Sequence, residues 1–283
     1  MRKKRSNKKL VILLVISALI ICSIFFIKQE KVISPNRSGD NSEEVQVETT
    51  DNQNGTETKS SAEKSDLKNI SMPILMYHHI RDFNDPNDKI GTNLSVPPQR
   101  FAEQLDLIKS SGYTTITFND LEKNNIPAKA IILTFDDGYK NFYENAYPEL
   151  KKRGMVGVVF VITQDIGKDQ YMSVQEIKEV NEAGIEIGSH TISHPDLRNL
   201  SKDRAAKEVT ESKQSLESIL SNKVISFCYP SGKFTDETLL IVKDAGYKYA
   251  VTTINKITTF ENVLELNRYR VNNDTSIKKF LND

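Results

Sequence analysis

The sequence predicts an α/β fold built on a largely parallel sheet, and three observations carry that prediction. From Ile70 onward, strand-like apolar segments alternate with helix-like ones, the signature of repeated βα units. One strand candidate, Ile131-Ile132-Leu133-Thr134-Phe135, is apolar or β-branched throughout, as strands covered on both faces are. Helical patterns end repeatedly at a glycine, at Gly112, Gly154, Gly184 and Gly246, the usual helix stop. These patterns leave open whether the sheet is open or closes into a barrel.

Residues 1–9 are strongly basic, with Arg2, Lys3, Lys4, Arg5, Lys8 and Lys9. Leu10 to Ile27 follows without a charge. That is about 18 residues, enough to span a hydrocarbon core of about 30 Å. The basic flank is expected in the cytoplasm and the rest of the chain outside. A cleaved signal peptide is the rival reading. An uncleaved anchor is preferred because the apolar stretch is long and no small-residue cleavage site follows cleanly. Cys22 follows Ile21 rather than a small residue, which argues against lipidation. Residues 28–69 are rich in Ser, Asn, Thr, Glu, Asp, Gln and Lys and contain no aromatic residue. Such a segment buries too little to offset its chain entropy, so a disordered tether is expected. The organisation is therefore a cytoplasmic segment 1–9, a transmembrane anchor 10–27, a linker 28–69 and a folded domain 70–283. The expected location is the cell membrane, single-pass, with the domain outside.

Within the domain, Pro73 to Tyr77 reads as a short strand ending in His78-His79. Pro98 to Gly112 carries Phe101, Leu105 and Ile108 at helical spacing. Tyr113 to Thr117 is a strand candidate and Asn119 to Asn124 a short helix. A helix is expected over Asn141 to Arg153 and a strand over Val156 to Ile162. Ser173-Val174-Gln175-Glu176 has the capping-box pattern that opens a helix. Ile185 to Gly188 is the next strand, and Ser201 to Leu220 a long charged helix. Val224 to Tyr229, Tyr249 to Thr253 and Arg268 to Val271 are the last strands, with a helix at Thr235 to Ala245.

The chain has 283 residues, and basic and acidic residues balance at 38 each. Neither this balance nor any basic helix or aromatic-basic stripe supports nucleic-acid binding. Two distant cysteines, Cys22 and Cys228, do not make a disulfide framework. All four histidines fall into two pairs, His78-His79 and His190/His194.

Two clusters carry chemistry. Asp136-Asp137-Gly138 ends the apolar strand, where α/β folds place their active sites. A helix cap is the plain alternative. Ser189-His190-Thr191-Ile192-Ser193-His194 follows the strand before it. Two imidazoles four positions apart plus one carboxylate make a divalent-metal triad if the strand ends converge.

Together these residues resemble the polysaccharide deacetylase family, the NodB-like carbohydrate esterases, over roughly Met72 to Val271. Thr134-Phe135-Asp136-Asp137-Gly138 matches the first family motif and His190-Thr191-Ile192-Ser193-His194 the second. The resemblance implies a distorted (β/α) barrel with fewer than eight repeats. It implies Asp137, His190 and His194 as metal ligands, with Asp136 as the base. It also implies a divalent cofactor, Zn²⁺ first, with Co²⁺ or Ni²⁺ as alternatives. Phe227-Cys228-Tyr229-Pro230-Ser231-Gly232 is similar to the third motif, making Tyr229 and Ser231 the expected substrate and oxyanion contacts. The family's arginine position there holds Cys228, which cannot supply the charge that orients the base. Met76-Tyr77-His78-His79 resembles a subgroup acting on exopolysaccharide. Asp244-Ala245-Gly246-Tyr247 is similar to the fourth motif, or is simply a helix end before a buried tyrosine.

The family's late histidine, its general acid, is missing: Leu266-Asn267-Arg268 stands there, and no histidine follows His194. The unassigned imidazoles are His78 and His79. Strand alternation sends one of them inward, and an imidazole suits proton donation at neutral pH. The alternative is that the pair packs or binds sugar hydroxyls. The expected activity is removal of N-acetyl groups from an N-acetylglucosamine polymer, either exopolysaccharide or peptidoglycan. A weakened carbohydrate-binding surface protein and an O-acetyl esterase are the other readings.

Overall fold

The computed structural model of the protein describes Leu67 and residues 70–281. The anchor expected over 10–27 and nearly all of the tether expected over 28–69 lie outside the described residues. Among the described residues no helix is long and apolar enough to cross a membrane.

Eight strands form the main sheet: β1 (Ile74–Tyr77), β2 (Thr114–Ile116), β3 (Ala130–Phe135), β4 (Val158–Val161), β5 (Glu186–Ser189), β6 (Ser226–Cys228), β7 (Tyr249–Val251) and β8 (Tyr269–Arg270). Their order is β7-β6-β5-β4-β3-β1-β8, with β2 paired to β3. Every pairing is parallel, so all strands end on the same side. The segment carrying β8 joins both ends of this half-barrel. Leu266 forms a parallel bridge with Val251 of β7, and Tyr269 and Arg270 pair with Leu75 and Met76 of β1.

The helices are α1 (Lys89–Asn93), α2 (Pro98–Ser110), α3 (Phe118–Glu122), α4 (Tyr147–Arg153), α5 (Val174–Glu182), α6 (Lys202–Leu220) and α7 (Asp236–Asp244). The capping box opening α5 forms as its sequence implies: Ser173 accepts from the Glu176 N–H, and Glu176 accepts from the Ser173 N–H. Outside the sheet, Ser71–Met72 pairs antiparallel with Thr258–Thr259, and His79–Ile80 pairs parallel with Ser95–Val96.

Strand alternation divides the core in two. Leu75, Tyr77, Ile131, Leu133, Phe135, Val159, Val161 and Phe227 pack in one apolar cluster with the helices. Ile74, Ile132, Val158, Phe160, Cys228 and Val251 form a second cluster on the concave face. That face crowds at Gly188, where a Cβ would come within 2.6 Å of the Phe160 ring and 2.7 Å of Ser226 Oγ.

One expected element differs. The helix foreseen over Asn141 to Arg153 begins as a wide π turn, Phe142–Ala146, before α4. Two asparagines at helical spacing explain the turn's placement. Asn141 Oδ1 accepts from the Ile80 N–H at 2.9 Å, and Asn145 Nδ2 donates to the Ile80 carbonyl at 2.7 Å. Together they clamp the main chain just beyond the histidine pair.

Candidate active site and metal centre

The concave face and the shared strand ends decide where each polar side chain goes. Asp136 continues the inward register of Ile132 and Thr134 beyond the end of β3, and its N–H donates to the Tyr77 carbonyl at 2.9 Å. At Asp137 the backbone turns left-handed, φ 75°, followed by Gly138 at φ 78°. A non-glycine residue there is strained. The turn reverses the alternation that would otherwise send Asp137 outward, so both carboxylates face one cavity.

The second cluster leaves β5 through a similar distortion, with Thr191 at φ 69° and His194 at φ 56°. His194 N–H donates to Thr191 Oγ1 at 2.9 Å. Glu208 of α6 holds the loop from below, its Oε2 accepting from the N–H groups of Ile192 and Ser193, each at 2.9 Å. His190 Nδ1 hydrogen-bonds the Cys228 carbonyl at 2.7 Å. A carbonyl can only accept, so that nitrogen carries the proton and Nε2 keeps its lone pair.

His190 Nε2 and His194 Nε2 lie 3.5 and 3.9 Å from Asp137 Oδ1. Ligand atoms of Asp137, His190 and His194 all fall within 4.8 Å of one another. Burial, then the Asp136 charge, push Asp137 up to about 7. Burial holds His190 down to about 3. A buried carboxylate facing two neutral imidazoles lacks a counter-charge, and a divalent cation fits that donor set. Asp136, His190 and Cys228 also lie close together. That set is a poor metal site because a guanidinium already neutralises Asp136 and burial raises the Cys228 thiol.

The guanidinium belongs to Arg268, which is wholly buried. Its Nη1 and Nη2 donate to Asp136 Oδ1 and Oδ2 at 2.6 and 2.8 Å. The remaining donors reach Thr252 O, Thr134 Oγ1 and Cys228 Sγ at 2.8, 3.0 and 3.2 Å, so all five N–H groups are used. Burial works to raise Asp136, but Arg268 outweighs it and holds the carboxyl below the usual carboxylate range. This corrects the expectation that the base lacks an arginine: the charge comes from the last strand segment instead of the position of Cys228. The sequence signal was an arginine opening the last strand candidate, Arg268 to Val271, where only an inward register gives it a role.

The histidine pair separates as alternation requires. His78 turns inward, its Nε2 3.9 Å from Asp136 Oδ2, and burial pushes it down to about 4. Its Nδ1 is buried without a hydrogen-bond partner. His79 turns away, against the expectation that included it as a catalytic candidate. Its Nδ1 meets Asn141 Nδ2 at 2.9 Å and its ring stacks on Tyr139 at 3.7 Å. Tyr139 in turn hydrogen-bonds Asp137, a contact the sequence did not reveal.

Tyr229 is also corrected. It follows Cys228 in β6 register and therefore points outward, buried against Phe227 and Phe234, while its N–H donates to the Val251 carbonyl. Ser231 does line the cavity, at φ 55°. Asp244 is exposed at the end of α7, and Tyr247 is buried with its hydroxyl donating to the Val209 carbonyl at 3.1 Å. The helix-end reading of the fourth motif is thus the structural one. Asp136, Asp137, His78, His190 and His194 share a cavity of about 230 Å³. Arg270 and Leu94, neither foreseen as site residues, complete its wall with Thr253 and Ser231.

The sequence pattern of the polysaccharide deacetylase family matches residues 123–250. The protein YxkH of Bacillus subtilis (strain 168) is 34% identical over 191 residues, 66% of either chain. The poly-β-1,6-N-acetyl-D-glucosamine N-deacetylase of Staphylococcus aureus (strain MSSA476) is 29% identical over 228 residues, covering 70% of this chain and 78% of that one. Among solved structures, the Streptococcus pyogenes deacetylase PplD in complex with acetate superposes with a TM-score of 0.70 at 35% identity. It covers 75% of this chain and 97% of that one.

Proposed function

The chain belongs to the polysaccharide deacetylase family, and from that premise we propose that it hydrolyses N-acetyl groups of an N-acetylglucosamine polymer at the cell surface. The observation that carries the proposal is the convergence of Asp136, Asp137, His190 and His194 in one cavity. The location rests on the uncharged stretch Leu10 to Ile27 behind a basic flank.

Asp137, His190 and His194 are the residues that would hold a divalent cation, with Zn²⁺, Co²⁺ and Ni²⁺ suiting the nitrogen and oxygen donors. When bound, such an ion polarises the acetyl carbonyl and makes water more acidic. The remaining work falls to the chain. Asp136, kept ionised by Arg268, accepts the proton of the attacking water. Arg268 fixes the plane of that carboxylate through two parallel hydrogen bonds. Ser231 lines the cavity, and its backbone N–H is the donor the chain would offer to the developing oxyanion. The leaving amine needs a proton. His78 is neutral at rest, so the proton for the amine is the one Asp136 has taken from water. His78, 3.9 Å from Asp136, relays it.

Acetate release by the full chain over a panel of acetylated glycans, with and without added Zn²⁺ or Co²⁺, tests the reading. The expected result is metal-dependent release from poly-N-acetylglucosamine oligomers. Release only from O-acetylated glycans would replace the amide with an ester as substrate. Absence of release from every glycan would overturn the assignment.

A further inference from the structure

Asp137 offers its carboxylate from a strained backbone. Its φ of 75°, followed by Gly138 at φ 78°, is a conformation that a non-glycine residue keeps only where its surroundings impose it. Residues 138–140 run antiparallel to residues 170–172. Tyr139 and Tyr171 form an antiparallel bridge. The Met172 N–H donates to the Gly138 carbonyl at 3.0 Å, and the Lys140 N–H donates to the Gln170 carbonyl at 2.8 Å. The side chain of Tyr139 is held as firmly as its backbone. Its ring stacks on Tyr171 at 5.2 Å and on His79 at 3.7 Å. His79 is anchored in turn, its Nδ1 meeting the Asn141 amide at 2.9 Å.

The hydroxyl of this ring hydrogen-bonds Asp137. A carboxylate only accepts, so the phenol is the donor. The wall of the catalytic cavity contains Asp137 and not Tyr139, so the phenol reaches the carboxylate without facing the reacting atoms. Asp137 Oδ1 is the oxygen that faces His190 Nε2 and His194 Nε2, at 3.5 and 3.9 Å. A free carboxylate turns about its side-chain torsions, and an outer donor fixes which way a ligand points.

Resting on the reading of Asp137, His190 and His194 as a divalent-ion site, we propose that Tyr139 is a positioning residue for that site. Its hydroxyl holds the Asp137 carboxylate toward the two imidazoles, and the rings of His79 and Tyr171 hold Tyr139. His79 thereby serves the ion through a tyrosine, outside proton transfer.

Tyr139→Phe keeps the ring and removes only the donor. Chelator competition on the full chain loaded with Co²⁺ reads affinity without turnover. Tyr139→Phe should hold Co²⁺ about 10- to 100-fold more weakly, with the thermal unfolding temperature in excess chelator equal to that of wild type. Tyr143→Phe removes a phenol that bonds Glu179 instead, and should keep wild-type affinity. His79→Ala loosens the Tyr139 ring but leaves its hydroxyl. It should weaken Co²⁺ binding by less than Tyr139→Phe, with kcat at saturating Co²⁺ nearly unchanged. Wild-type affinity in Tyr139→Phe overturns the proposal. So does a weaker affinity that comes with a lower unfolding temperature in excess chelator, which marks a general structural role. Unchanged affinity in His79→Ala overturns the part given to the stacked rings. A wild type that binds no Co²⁺ overturns the metal reading itself and this proposal with it, so the two failures are told apart.

Discussion

Arg268 and Asp136 form a doubly hydrogen-bonded ion pair, at 2.6 and 2.8 Å, with the guanidinium wholly buried. The base is thereby supplied with a fixed cation 132 positions later in the chain, immediately before β8. Arg268→Met leaves Asp136 with burial alone, which raises a carboxyl. Asp136 acts only when ionised, so activity falls as pH drops through its pKa. Raising that pKa moves the acidic limb of the pH–rate profile toward neutrality. Denaturant unfolding should show a loss of about 3–5 kcal/mol for the orphaned buried carboxylate. An acidic limb that stays in place would remove Arg268 from the mechanism.

Metal content after dialysis separates the two carboxylates. His190→Ala, His194→Ala and Asp137→Asn should each lose the ion, whereas Asp136→Asn should keep it and lose turnover. The motivation is the cluster of ligand atoms within 4.8 Å, from which Asp136 is withheld by its arginine. The reverse pattern for the two aspartates would exchange base and ligand.

His78 and His79 should respond in opposite ways. His78→Ala should lower kcat by about 10²–10⁴ with metal retained, because its ring lies beside Asp136 in the cavity. His79→Ala should leave kcat nearly unchanged and lower stability by about 1–2 kcal/mol, through loss of the Asn141 hydrogen bond and the Tyr139 stack. Equal kcat in both variants would make Asp136 both base and acid.

Glu208 is outside the cavity yet accepts from two successive N–H groups of the histidine loop. In Glu208→Gln an amide NH₂ replaces one acceptor. Metal affinity should fall about 10- to 100-fold with the circular dichroism spectrum unchanged. Titration with a competing chelator measures it, and wild-type affinity would show that the loop holds itself.

The N-terminal reading is tested in cells. The protein should fractionate with membranes, and protease added outside should release a soluble active domain by cutting within residues 28–69. Recovery of all the protein from the medium without proteolysis would favour a cleaved signal peptide.

Most of the sheet and the candidate metal-ligand cluster were legible in the sequence. Ile131 to Phe135 could hardly be anything but a buried strand, and its end at Asp136-Asp137-Gly138 marked the cavity. Shorter features were not legible. The π turn at Phe142–Ala146 depends on Asn141 and Asn145 reaching Ile80 across the fold. The strand pair at His79–Ile80 and Ser95–Val96 is too short to leave a periodic signal.

The parallel α/β sheet, the two clusters at its strand ends and the choice between His78 and His79, up to which one faces inward, could be read from the order of residues. Those are local properties: hydrophobic period, glycine stops and residue chemistry at fixed spacing. The pairing of Arg268 with Asp136 and the place of Tyr229 in the packed core come from the three-dimensional fold alone. Each depends on the register in which strands far apart in the chain align. A shift of one residue sends a side chain to the opposite face of the sheet, and no local pattern records which register two distant strands adopt.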